Sequence, residues 1–187
     1  QPAYDRTSLS KFVIAGQMPP DEVPALLDAD ALRQGQLERK HGKVRSVDSQ
    51  HRQITLADGQ SIAYDACLLA TGGKPVRPQL AGIDLPGVFT LRSRDDAERV
   101  LDAAEPGQPV VIVGDGFIGL EAASALQAYG ARVHVVARHE IPLARQLGER
   151  IGRCLRTLHE AQGVTFHGPT EVKLIEGQGQ VEAVVLA

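Results

Sequence analysis

The 187-residue sequence has no tryptophan, one methionine and an aromatic content of only 4%. Cysteine occurs twice, at Cys67 and Cys154, with no C-x-x-C arrangement. That usage excludes a disulfide scaffold and fits a reducing cytoplasm. No apolar run approaches the length of a membrane span, so no membrane partner is expected. No basic run exists either: 20 Lys and Arg stand against 23 Asp and Glu, for a formal net charge of −3. The electrostatic footprint of a nucleic-acid partner is therefore missing. The six histidines, His41, His51, His134, His139, His159 and His167, show neither H-x-x-x-H nor zinc spacing, so no metal site is expected. There is no G-x-S-x-G, which removes the support for a serine hydrolase. The opening "QPAYDRTSLSK" does not follow the charged-then-apolar pattern of a secretory leader. Gln1 rather than Met opens the chain and "VEAVVLA", which reads as a strand, closes it, so a slice of a longer protein is expected.

What is present is a globular composition, 43% apolar and 23% charged, sufficient for a packed core. "LSKFVIAG" reads as a short helix closed by Gly16. "MPPDEVP" reads as a proline-rich loop and "DADALRQG" as a helical turn ending at Gly35. Between Gln36 and Tyr64 the pattern shifts to short alternating segments, with the Asp-Gly of "ADGQ" marking a hairpin turn. A buried strand is expected at Cys67–Ala70. "GGKPVRPQLAGIDLPG" is loop-like. Ser93 caps a helix over Arg94–Ala104, with Asp95 and Asp96 at its positive end.

Beyond "PGQP" the pattern becomes strictly α/β. Strands are expected at Val110–Val113, Arg132–Ala137 and Val164–His167, with helices at Phe117–Tyr129 and from about Gly148 to Ala161. A final hairpin is centred on "EGQGQ". Cys154 shares a helix face with Ile151, Leu155 and Leu158 at 3.6-residue periodicity. Cys67 and Cys154 both read as core residues, and His134 reads as packed.

The stretch "VVIVGDGFIGLEAASAL" carries Gly114, Gly116 and Gly119 as G-x-G-x-x-G between a strand and a helix. The first glycine allows the tight turn, the second lets a pyrophosphate approach the backbone, and the third lets the helix pack close to the strand. Phe117 and Ile118 open the helix, whose positive end faces the phosphates. In the NAD-binding version an acidic residue ends the second strand and holds the ribose hydroxyls. Here that position is Ala137, followed by Arg138 and His139, with Arg145 further on. A 2′-phosphate suits forked arginine contacts, which favours NADP over NAD. The alternative leaves Arg138 and Arg145 as solvated surface residues, with Glu140 turned to the ribose.

Three stretches in order, "AYDRTSLSK", "LLATGGKPVRP" and "VVIVGDGFIGLEAA", make the sequence resemble the FAD-dependent pyridine-nucleotide oxidoreductases of the ferredoxin and rubredoxin reductase type, apoptosis-inducing-factor-like proteins included. "RQLGERIGRCLRTLHEAQGVTFHGPTEV" is most similar to the Rieske-associated branch. The resemblance implies an α/β fold of three-layer Rossmann-like FAD- and NAD(P)-binding domains, the second inserted in the first and both incomplete here. Residues 1–91 would be part of the FAD domain, lacking its glycine fingerprint, and 92–187 a truncated NAD(P) domain.

It also implies roles. Arg6 would lie along the flavin phosphate–ribityl region, and Ala70, Thr71, Gly72 and Gly73 at the strand end that passes the flavin. Lys11 would face the flavin ring and pair with Glu121 where nicotinamide stacks; taken alone, they read as a solvated lysine and a glutamate near a positive helix end. Tyr4 and Phe117 either touch cofactor edges or pack. The disulfide reductases related to this group hold a C-x-x-x-x-C where "AYDRTSLSK" stands, so dithiol chemistry is excluded there. The implied activity passes electrons from NADPH, or else NADH, through FAD to an iron–sulfur protein of ferredoxin, rubredoxin or Rieske type. A dinucleotide-binding module without catalysis, and a segment like that of a nitrite-reductase large subunit, are the other readings.

Overall fold

The computed structural model describes residues 3–26, 29–35 and 37–187. Gln1, Pro2, Leu27, Asp28 and Gln36, which fall in the expected opening stretch, the start of "DADALRQG" and the start of the alternating region, lie outside the described residues. The chain packs as two compact units, Leu26–Lys74 and Ala3–Ala25 joined with Pro75–Ala187. This division follows packing, whereas the boundary at residue 91 follows the nucleotide each part is expected to hold.

The smaller unit contains helix α1 (Ala29–Arg33) and an antiparallel sheet of β1 (Val44–Asp48), β2 (Gln53–Leu56) and β3 (Ser61–Ala63) in the order β1-β2-β3. The Asp-Gly turn is where the sequence puts it. Asp58 Oδ1 accepts a hydrogen bond of 2.9 Å from the Gln60 N–H, and Gly59 has φ +89°. In the first hairpin, Asp48 Oδ1 accepts from the N–H groups of Gln50 and His51, both at 2.9 Å. These side-chain turns replace backbone partners that the chain reversal removes.

The strand expected at Cys67–Ala70 is not formed. Residues 67–70 are irregular, with Leu68 89% and Leu69 68% exposed. A continuous apolar run becomes a buried strand only when neighbours hydrogen-bond to both its edges. No strand among the described residues pairs with it. Cys67 is accordingly exposed rather than in a core.

The larger unit is built on a parallel sheet. β4 (Pro109–Val113), β5 (Arg132–Val136) and β6 (Thr165–His167) pair in that order, with Val111 opposite His134 and His134 opposite Thr165. Helix α2 (Arg94–Ala103) precedes the sheet. Its cap is reciprocal: Ser93 accepts from the Asp96 N–H at 3.1 Å, and Asp96 accepts from the Ser93 N–H at 2.9 Å. Burial alone raises the Asp96 pKa, but these hydrogen bonds and the Arg99 guanidinium outweigh it and hold the carboxyl below its usual range.

Helix α3 (Phe117–Tyr129) connects β4 to β5, and buries Leu120, Ala122, Ala123, Ala125 and Leu126. Small alanines let the helix lie close to Val133 and Val135. Leu9, Val13 and Ile14 join the same core at 2%, 0% and 0% exposure. Burying each side chain contributes roughly 1.5–3 kcal/mol, enough to hold the N-terminal segment against α3. That segment, Leu9–Val13, is wider than an α-helix: the N–H groups of Ile14 and Gln17 reach five residues back to Leu9 and Phe12, at 3.2 and 2.9 Å. Tyr4 packs against this core, and its hydroxyl accepts from the Arg94 N–H at 3.0 Å.

A short helix α4 (Ala144–Leu147), not expected from sequence, leads into α5 (Glu149–Ala161). α5 buries Gly152, whose Cβ would lie 2.3 Å from the Pro142 carbonyl oxygen. The face carrying Ile151, Cys154 and Leu158 points outward instead, with Ile151 47% and Leu158 57% exposed. The expectation of a core Cys154 is corrected accordingly: periodicity identified the apolar stripe, but the helix turns its glycine to the loop at Pro142. The terminal hairpin, β7 (Val172–Glu176) with β8 (Ala183–Leu186), forms as expected.

Candidate dinucleotide and electron-transfer site

The glycine loop joins β4 to α3. Gly114 has φ +118°, a conformation L-residues rarely adopt. A Cβ on Gly119 would stand 2.3 Å from the Gly114 carbonyl oxygen, so helix and strand touch backbone to backbone there. A Cβ on Gly116 would meet nothing within 4 Å. The backbone at Gly116 thus faces open space at the positive end of a 13-residue helix. Both features fit a pyrophosphate. Phe117 and Ile118 are 52% and 56% exposed beside it.

Next to the loop lies a cleft of about 170 Å³, lined by Asp115, Gly116, His139, Ile141, Leu143, Ala144, Arg145 and Gln146. The structure thus gathers Gly116, His139 and Arg145 around one space. Ala137 is buried, its N–H donating to the His167 carbonyl and its carbonyl accepting from the Thr170 N–H, each at 2.9 Å. Arg138 is not among the lining residues. Its guanidinium pairs with Glu171 at 3.0 Å, both side chains largely exposed. Leu143 holds φ +55° at 6% exposure, a strained backbone for a branched side chain. Nothing in the sequence flagged it.

On the next turn of α3, Glu121 meets the N-terminal segment. Lys11 Nζ lies 3.1 Å from Glu121 Oε1 and donates to Oε2 at 3.2 Å. It also donates to the Thr7 carbonyl at 3.4 Å. Ser10 Oγ donates to Glu121 Oε2 at 2.6 Å. Sequence reasoning missed Ser10, whose only signal was adjacency to Lys11. A second cleft of about 310 Å³ begins at this carboxylate and runs along Phe117, Leu120, Leu155 and His159. His159 ties α5 to α3: Nδ1 lies 2.8 Å from the Leu155 carbonyl oxygen and Nε2 lies 3.1 Å from that of Leu120.

Arg6 is exposed in the larger unit. Ala70, Thr71 and Gly72 are exposed and irregular in the smaller one, Gly72 with φ +71°. His134 Nδ1 and His167 Nε2 share a hydrogen bond of 3.1 Å. Burial first, then His167 and Arg132, lower the His134 pKa. Among the described residues no three metal-ligating side chains cluster, and no helix is long and apolar enough to cross a membrane.

A parallel β-α-β sheet, a tight glycine turn and an open helix N-terminus define an α/β protein with an incomplete Rossmann-like fold. The chain belongs to the pyridine nucleotide-disulphide oxidoreductase family, whose profile matches residues 1–187. It is 40% identical over 186 residues to the ferredoxin–NAD(+) reductase component of the biphenyl dioxygenase system of Paraburkholderia xenovorans (strain LB400), covering 99% of this chain and 45% of that protein. It is 37% identical over 191 residues to apoptosis-inducing factor 3 of Mus musculus, covering 98% of this chain and 30% of that protein. Among solved structures, the ferredoxin reductase for the CYP199A2 system from Rhodopseudomonas palustris superposes with a TM-score of 0.88 at 28% identity, over 100% of this chain and 46% of that one. The chain spans less than half the length of these relatives.

Proposed function

We propose that this chain is the pyridine-nucleotide-binding part, with adjoining flavin-binding segments, of an NAD(P)H-dependent FAD oxidoreductase that reduces an iron–sulfur protein. The observation that carries the reading is the contact of Lys11 with Glu121 on the helix that opens at the glycine loop. One helix therefore presents both a pyrophosphate cradle and the carboxylate that pairs with the Lys11 ammonium. FAD, when bound, supplies the hydride-accepting and single-electron-donating chemistry. Residues Arg6, Ala70, Thr71 and Gly72 are expected to hold it, with 1–91 contributing to the FAD domain and 92–187 to the NAD(P) domain. Lys11 would place positive charge where the reduced ring gains negative charge, and Glu121 would fix its position. Gly114, Gly116 and Gly119, with Phe117 and Ile118, would hold the dinucleotide backbone. The name of the Paraburkholderia relative supports a ferredoxin-type acceptor.

For the nucleotide we favour NADPH. Ala137 removes the ribose-binding carboxylate, and His139 and Arg145 rim the cleft beside Gly116. Arg138 stands next to them on a surface pair that water screens. NADH is the second reading, because Glu171 already engages Arg138 and the relative is named for NAD(+).

The deciding measurement is the visible spectrum of the purified protein before and after anaerobic NADPH, and then NADH. A flavin spectrum that bleaches supports the reductase. A colourless protein that binds nucleotide makes it a binding module.

A further inference from the structure

We infer that Ser10 is a positioning residue for the Lys11–Glu121 pair, so that the hydride-transfer geometry depends on a buried hydroxyl as well as on the two charged groups. The inference rests on the function proposed above and deepens it. Ser10 is 7% exposed, while the Lys11 and Glu121 side chains are 43% and 35% exposed. An ion pair that wet is held loosely by its own attraction, because water screens both charges and each side chain keeps alternative rotamers. Glu121 is not left to that attraction. Its Oε2 accepts the Ser10 hydroxyl at 2.6 Å, the short distance of a hydrogen bond to a charged acceptor.

The hydroxyl itself has little freedom. Leu9 and Val13, buried at 2% and 0%, anchor the wide turn that carries it. Within that turn Ser10 and its neighbour Lys11 both reach the same carboxylate. Wide turns of this kind recur at functional sites. The chain of control runs from the apolar core through Ser10 to Glu121 and then to Lys11. Lys11 is the group proposed above to face the flavin; Ser10 acts through another residue.

The test uses the flavin-loaded protein with Ser10→Ala, Ser10→Thr, Glu121→Gln and the double variant Ser10→Ala/Glu121→Gln. Three readouts are taken: the rate of flavin reduction by NAD(P)H, the nucleotide Kd, and a crystal structure of the Ser10→Ala protein. Ser10→Ala should slow reduction about tenfold, the loss expected for one hydrogen bond to a charged group, with Kd unchanged within about twofold. Its crystal structure should show the Glu121 carboxylate turned from its place. Ser10→Thr should recover most of the rate, and the double variant should be no slower than Glu121→Gln alone, since the hydroxyl acts only through that carboxylate. If Glu121→Gln is slow while Ser10→Ala matches the wild type and leaves Glu121 in place, the positioning role is overturned and the function stands. If Glu121→Gln reduces as fast as the wild type, the function read from the pair fails, and the role of Ser10 falls with it. A double variant slower by the product of the single losses also overturns the proposal.

Discussion

Lys11 Nζ and Glu121 Oε1 lie 3.1 Å apart although 110 positions separate them in sequence. The core of Leu9, Val13, Ile14 and the alanine face of α3 makes that contact possible. The pair itself is worth at most about 1 kcal/mol at this exposure, so its loss should leave the fold intact. Lys11→Ala should therefore slow flavin reduction on the order of a hundredfold, as loss of a preorganised charge partner does, with an unchanged far-UV spectrum. Stopped-flow absorbance at the flavin band is the measurement. A wild-type rate would remove Lys11 from the chemistry.

The glycine loop separates a binding effect from a folding effect. Gly116→Ala adds a Cβ with no neighbour within 4 Å, so the thermal midpoint should barely move while NAD(P)H affinity drops through collision with the phosphates. Gly119→Ala drives a Cβ to 2.3 Å from the Gly114 carbonyl oxygen. Overpacking of that kind costs about 1–3 kcal/mol, lowering the midpoint by several degrees. Calorimetry and nucleotide titration on both variants should give this crossed pattern. Equal nucleotide affinity in Gly116→Ala and wild type would mean the loop does not carry the pyrophosphate.

Stability should also depend on the paired imidazoles of β5 and β6. The folded-state pKa of His134 lies below the ordinary 6.5, through burial and the neighbouring His167 and Arg132. The unfolded chain therefore binds the extra proton first. This group's contribution is intact above 6.5 and is lost as the pH falls through the lowered folded value. Urea midpoints should decline from pH 8 to pH 5, and His134→Gln should decline less steeply. Parallel declines would place the acid sensitivity elsewhere.

The part of the fold that local pattern controls was legible in the sequence. The three glycines, the alternation from Val110 to His167 and the Ser93 cap each impose their structure within a few residues. What depends on distant neighbours was less legible. Residues 67–70 have the composition of a buried strand but no pairing strand among the described residues. The apolar stripe of α5 was found, yet its direction is set by Gly152 against the Pro142 carbonyl. Lys11 and Glu121 came from family resemblance, and Ser10 could not be singled out, because a lone serine acquires meaning only once tertiary packing puts it beside Glu121.

The NADPH preference proposed above rests on a few residues after β5. Ala137 offers no carboxylate to a ribose, and His139 and Arg145 line the cleft that reaches Gly116. A 2′-phosphate entering there would compete with Glu171 for Arg138, which the carboxylate now holds at 3.0 Å. A doubly charged phosphate in forked contact outcompetes a screened surface carboxylate. Arg138→Ala should therefore raise the NADPH Kd by about tenfold or more, as loss of a charged hydrogen bond predicts, and leave the NADH Kd within about twofold. Arg145→Ala should act in the same direction. Glu171→Gln frees the guanidinium and should tighten NADPH without changing NADH. Fluorescence titration with both nucleotides reads all three variants. An unchanged NADPH affinity in Arg138→Ala and Arg145→Ala would assign the site to NADH, with the two arginines as ordinary surface charges.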